Sequence, residues 1–158
     1  MAITNCLNFG NPYDPEVYWQ FKESVRGITH ACQALGTPIT GGDVSFYNRT
    51  ETNPIYPTPV IGMLGKIESA DCITTINFKR SGDLIVILGK TLGYLGGSAY
   101  VELETREIRG GTPPIDLYKG KQCQAASLQM IEERIVISRH DISGGGSGVL
   151  LAECCLRL

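Results

Sequence analysis

The chain has 158 residues, is 42% hydrophobic and carries a formal charge of −2, with 14 Lys and Arg against 16 Asp and Glu. That suits one sizeable core or two smaller ones in a globular protein, and it excludes a general nucleic-acid or membrane-surface binder, because the basic residues are neither in excess nor clustered. The longest apolar runs, such as residues 84–88, are too short to cross a bilayer and no charged leader with an apolar block opens the sequence, so cytoplasm is the expected location.

Residues 2–7 predict a strand. A helix then opens at Asp14 and Pro15: aspartate accepts from free N–H groups at a helix start, and proline is pre-set for the first helical position. Val17, Phe21, Val25, Ile28, Cys32 and Leu35 recur at steps of three and four, and Gly36 with Pro38 ends the helix. Residues 44–47 predict a second strand, entered through a Gly41-Gly42 turn, and residues 60–67 a third. Residues 48–59, rich in Thr, Asn and Pro, predict a surface loop that enters the third strand through proline, as edge strands do.

A domain boundary is expected near residue 75, giving a first domain over 1–74 and a second over 75–158. The continuous apolar run 84–88 predicts a strand covered on both faces. A glycine-rich turn at 93–97, a helix over about 116–133, a strand at 135–138 and a last helix from Gly148 to Leu158 complete the second part. Strands alternating with helices give an α/β (α+β) fold class, with too few strands in the first part to close a sheet. The sequence therefore reads as an internal piece of a longer protein, with exposed strand edges that favour self-association.

The six cysteines form no Cys-x-x-Cys pair, and the two histidines are not at ligand spacing from them, so small buried or half-buried thiols are expected rather than zinc. Gly41-Gly42-Asp43-Val44-Ser45 gathers two permissive glycines, a carboxylate and a hydroxyl. Such a bend suits phosphate and Mg²⁺, although an Asp capping its own turn needs the same residues. Asn5 and Asn8 are amides near the end of a strand, where ligands bind in open sheets, but asparagine in a turn needs no ligand. The loop from His140 to Gly148 precedes a helix, yet it lacks the Lys-Ser/Thr of a P-loop and the dinucleotide fingerprint. His140 and Asp141 are adjacent, so on a strand they point to opposite faces and form no simple dyad. From the residues alone, no substrate follows.

Three segments in order, Ala2-Ile3-Thr4-Asn5-Cys6-Leu7-Asn8-Phe9-Gly10-Asn11-Pro12, Thr37-Pro38-Ile39-Thr40-Gly41-Gly42-Asp43-Val44-Ser45-Phe46-Tyr47-Asn48 and Ile55-Tyr56-Pro57-Thr58-Pro59-Val60-Ile61-Gly62-Met63, resemble the small-type synthetase subunits of the phosphoribosylformylglycinamidine synthase family. Gly82-Asp83-Leu84-Ile85, Leu95-Gly96-Gly97-Ser98 and His140-Asp141-Ile142-Ser143 are similar to the C-terminal domain of the wider aminoimidazole-ribonucleotide-synthetase-like superfamily. The resemblance implies the end of a barrel-forming N-terminal-type domain followed by the start of a C-terminal α/β domain, both from the second repeat of a duplicated subunit.

It also implies ATP-dependent amidation of formylglycinamide ribonucleotide through an iminophosphate, with ammonia from a glutaminase subunit and a small accessory subunit in the same complex. Asn5 and Gly42 match residues that touch ATP, Asp43 matches a magnesium ligand where many relatives have Asn, and Ser45 matches a substrate contact. Gly144 and Ser147 depart from the usual acidic residue and leucine, so the last loop receives no role. The catalytic histidine belongs to the first half of such a subunit, so no catalytic residue is assigned and the segment alone should be inactive. A structural or regulatory half with a non-catalytic nucleotide site is the alternative, and selenophosphate synthetase, thiamine-phosphate kinase and hydrogenase-maturation dehydratase are more distant ones.

Overall fold

A computed structural model describes residues 1–156, which form two compact units, Met1–Glu68 and a second that begins at Ser69. The first holds a three-stranded sheet of order β2-β1-β5, where β1 is Ala2–Asn8, β2 is Ile39–Ser45 and β5 is Thr58–Leu64. β1 and β2 are parallel, and helix α1 (Pro15–Leu35) makes the crossover that parallel pairing requires. β5 runs antiparallel to β1 with Leu7 opposite Pro59, so proline does sit on an edge strand. Within the expected loop, β3 (Arg49–Thr50) and β4 (Asn53–Pro54) form a two-residue hairpin.

Helix α1 is bounded as its sequence dictates. The Asp14 carboxylate accepts from Glu16 N at 2.9 Å, Pro15 takes the first position, and Gly36 closes the helix in the left-handed region at φ 69°. Of its apolar stripe, Val17 is buried and Phe21 and Ile28 are partly buried, joining Leu7, Phe9 and Phe46 in the core, whereas Val25 stays exposed. Phe9 meets Phe21 edge-to-face at 5.4 Å, and Phe21 meets Phe46 likewise at 5.1 Å. Burial of these rings is the main apolar stabilisation of the unit.

The second unit is built of helices: a 3-10 turn at Ala70–Cys72, α2 (Ala99–Thr105), α3 (Leu117–Glu132) and α4 (Gly146–Cys155). Two expectations are corrected here. Residues 84–88 and 135–138 form no strand, and Leu84, Val86 and Ile135 are exposed. A strand exists only through its partners, and no pairing strand occurs among the described residues of this unit. Helix α2, capped by the Ser98 hydroxyl accepting from Val101 N, was not expected, and α4 starts two residues before Gly148. It ends at Cys155, and the expected terminus at Leu158 lies outside the described residues.

Asp116 caps α3 by accepting from Lys119 N at 3.0 Å. That amide, helped by the Lys119 ammonium, holds the Asp116 carboxyl below its ordinary 3.8. A depressed folded-state value means the cap contributes fully above the unfolded value of about 3.9 and is lost as pH falls through the folded one. Amide exchange in the first turn of α3 should therefore lose protection below about pH 4. In Asp116→Asn, which caps without titrating, that loss should vanish.

Candidate functional site

The candidate residues lie where β1 and β2 run side by side. Asn5 pairs with Gly42, Cys6 with Asp43, Leu7 with Val44 and Asn8 with Ser45, after a register irregularity between Ile3 and Thr4. Gly41 and Gly42 lie inside β2, and neither adopts positive φ. The expected glycine-aspartate-serine bend is therefore corrected to an extended strand. Consecutive side chains on a strand point to opposite faces, so the four candidates divide. Asn5 and Gly42 share the face of Leu7, which packs on Val17 of α1, while Asp43 and Ser45 share the other face with Cys6 and Asn8.

On the first face the requirement for glycine is steric rather than conformational. A Cβ at Gly42 would stand 2.3 Å from Asn5 Oδ1 and 2.9 Å from its Cγ, so the Asn5 side chain lies across the bare backbone of β2. The two nucleotide candidates are thus in direct contact.

On the second face Asp43 is exposed, and its carboxylate has no hydrogen-bond or ion-pair partner among the described residues. Ser45 is half-buried at the carboxyl end of β2, the end at which open α/β sheets bind ligands. Its hydroxyl accepts from Asn48 Nδ2 at 3.0 Å and donates to Asn48 Oδ1 at 3.3 Å. The Asn48 amide also donates to the carbonyls of Phe9, at 3.1 Å, and Ser45, at 3.0 Å, tying the two strand ends together. Beside it Asn8 Nδ2 donates to Thr58 O at 3.3 Å. Asn48 carries this geometry, yet the only sequence signal for it is its place three residues after Ser45, at the end of a turn where Tyr47 takes φ 63°.

The donor set bears on a magnesium ion. Among the described residues no group of three or more His, Cys, Asp or Glu converges. Mg²⁺ keeps waters and takes phosphate oxygens, with one or two protein carboxylates, so the single free carboxylate of Asp43 fits as one ligand and no more. A hollow of about 460 Å³ lies at the opposite end of β2, lined by Thr29, Cys32, Gln33, Gly36, Thr37, Pro38 and Ile39, and holds none of the four candidates. No helix among the described residues is long and apolar enough to cross a membrane.

Residues 1–67 match the family model of AIR synthase related protein, N-terminal domain. The chain is 47% identical over 156 residues to phosphoribosylformylglycinamidine synthase subunit PurL of Anaeromyxobacter sp., covering 99% of this chain and 20% of that protein. To the PurL of Thermobifida fusca it is 48% identical over 158 residues, 99% of this chain and 21% of the relative. The solved Thermotoga maritima PurL complexed with ADP is 36% identical over 39% of this chain and 10% of that one, with a TM-score of 0.35. The chain thus spans about one fifth of the length of the curated relatives it matches. It is similar along almost its whole length to a segment of phosphoribosylformylglycinamidine synthase PurL, and its first 67 residues match the AIR synthase related N-terminal domain.

Proposed function

We propose that this chain is part of an ATP-dependent C–N ligase that converts formylglycinamide ribonucleotide and glutamine-derived ammonia to formylglycinamidine ribonucleotide in purine biosynthesis. The observation that carries this reading is identity of 47% or 48% to PurL subunits over 99% of the chain. The amide oxygen of the substrate takes the γ-phosphoryl group of ATP, ADP leaves, and ammonia then displaces phosphate from the resulting iminophosphate. In this proposal Asn5 and the bare backbone at Gly42 receive ATP, Asp43 offers one oxygen to Mg²⁺ and Ser45 touches substrate. Residues 1–74 supply part of a barrel-forming domain and residues 75–158 part of the following α/β domain. A glutaminase subunit and a small accessory subunit are the proposed partners, in the cytoplasm.

Coupled synthesis tests the reading. The full-length subunit with both partners, glutamine, Mg·ATP and formylglycinamide ribonucleotide should yield the amidine with stoichiometric ADP, and the 158-residue chain alone should yield none. Absence of amidine from the complete mixture would sink the proposal. Sedimentation of the isolated chain should show association through its open strand edges, and a stable monomer at high concentration would count against that part.

One observation favours a second reading, a structural or regulatory half whose nucleotide site does no chemistry. The four candidates lie on two faces of one sheet and cannot all surround the same phosphate. Ser45→Ala separates the readings. In the full subunit a substrate contact predicts turnover reduced about tenfold or more, the consequence of losing about 1.4 kcal/mol of transition-state binding. A scaffold predicts unchanged turnover per folded molecule with about 0.5–1.5 kcal/mol of lost stability from the Asn48 hydrogen bonds.

A further inference from the structure

Resting on the reading of Ser45 as a substrate contact, we propose that Asn48 is a positioning residue that presents the Ser45 hydroxyl as a hydrogen-bond donor to an acceptor oxygen of the ribonucleotide substrate. Asn48 is half-buried in the link between β2 and β3, and its Nδ2 has three oxygens within reach. These are Phe9 O at 3.1 Å, Ser45 O at 3.0 Å and Ser45 Oγ at 3.0 Å. A carbonyl oxygen only accepts, so the amide stands with its nitrogen toward the two strand ends, and a flipped amide would set Oδ1 against both carbonyls. The backbone around it is tied down as well. Asn48 N donates to Phe9 O at 3.1 Å, Phe9 N to Ser45 O at 3.0 Å and Ile55 N to Asn48 O at 3.2 Å. The side chain therefore cannot turn without giving up bonds at the ends of both β1 and β2.

That fixed amide decides what Ser45 Oγ can offer. A serine hydroxyl has one hydrogen and two lone pairs. The Nδ2 bond at 3.0 Å occupies a lone pair, while the hydrogen goes to Asn48 Oδ1 at 3.3 Å, longer than the usual O–H···O distance of about 2.7–2.8 Å. The hydrogen is thus the weakly held half of the pair. A substrate oxygen at ordinary distance draws it away, and an anionic one does so more strongly, while Nδ2 keeps its hold on Oγ. Ser45 then meets its ligand as a donor and selects an oxygen over an N–H group. Asn8, opposite Ser45 on the same face, has its own amide turned to Thr58 O at 3.3 Å and Cys6 O at 3.4 Å, so its N–H donors are already engaged. Without Asn48 the Ser45 hydroxyl loses both partners and turns among its rotamers, and ordering it falls to the substrate.

Steady-state kinetics of the full-length subunit with its glutaminase and accessory partners test this role, with formylglycinamide ribonucleotide and ATP each varied and rates expressed per folded molecule. Asn48→Ala keeps the backbone hydrogen bonds of residue 48 and should lower kcat/KM for the ribonucleotide by roughly three- to tenfold. KM for ATP should stay at the parent value, because Asn5 and Gly42 lie on the opposite face of the sheet. In a chain already carrying Ser45→Ala, the same substitution should change kcat/KM by less than about twofold, since the hydroxyl it positions is gone. An equal loss in both backgrounds, a raised KM for ATP in Asn48→Ala, or no loss in Asn48→Ala where Ser45→Ala lowers kcat/KM would each overturn the positioning role alone. Parent-like kcat/KM in Ser45→Ala would overturn both that role and the reading of Ser45 as a substrate contact. Side-chain amide exchange in the unsubstituted 158-residue chain reads the held amide without any variant. The Nδ2 hydrogens of Asn48 should exchange severalfold more slowly than those of the exposed Asn53, and equal rates would also overturn the positioning role.

Discussion

Phe9→Ala should unfold the Met1–Glu68 unit at conditions in which the unsubstituted chain keeps it folded. Phe9 is fully buried, with 0% exposure, and its ring meets Phe21 at 5.4 Å in an edge-to-face contact that Phe46 extends. Truncating a buried phenylalanine costs about 3–5 kcal/mol, because its transfer energy is lost and the cavity collapses only in part. Whole domains are stable by about 5–15 kcal/mol, and a 68-residue unit whose buried apolar residues are Ile3, Leu7, Phe9 and Val17 belongs to the lower part of that range. Urea unfolding followed by amide exchange in β1 and α1 reads the effect. A midpoint unchanged from the parent chain would show that Phe9 is not the centre of this core.

Gly42→Val should have the second-largest effect, through Asn5. A Cβ at position 42 lies 2.3 Å from Asn5 Oδ1, and valine adds two methyl groups around that point. With alanine, Asn5 can turn to another rotamer at a cost of about 1 kcal/mol, whereas valine forces both that rotation and a spreading of β1 from β2, together about 1–3 kcal/mol. The backbone at Gly42 is ordinary extended chain, so the loss arises from collision rather than from φ. Shortening the obstructing side chain should relieve it: in a double-mutant cycle, Asn5→Ala should recover most of the loss. Additive effects of the two substitutions would mean that Asn5 does not lie over Gly42.

The same glycine shows what the sequence disclosed and what it concealed. Adjacent glycines followed by aspartate read as a bend because glycine most often serves positive φ, and nothing local reveals a side chain from another strand crossing the site. Pairing with Asn5, 37 positions earlier in the chain, is long-range information. By contrast α1 was legible almost residue by residue, since Asp14, Pro15 and Gly36 act within one turn of themselves. In the second unit α3 was legible as a helix over about 116–133, with its Asp116 cap found only in the structure, while residues 84–88 have the composition of a buried strand and lie exposed, without a partner strand in the described unit. Local caps depend on near neighbours; strands depend on distant ones. The family resemblance supplied Asn5, Gly42, Asp43 and Ser45, but it was register that divided them between two faces. Asn48, which holds the ends of β1 and β2 together, is visible only once those strands are side by side.

The proposed role of Asp43, exposed on the second face of that sheet, is to offer one oxygen to a phosphate-bound Mg²⁺. The direct measurement is the Mg²⁺ dependence of turnover in the full-length subunit carrying Asp43→Ala, with its unfolding midpoint recorded alongside. Because Asp43 is exposed and unpartnered, the midpoint should stay within about 0.5 kcal/mol of the parent. Turnover per folded molecule should fall at least tenfold, about 1.4 kcal/mol, with a higher Mg²⁺ requirement. Parent-like turnover at the parent's Mg²⁺ requirement would contradict the account.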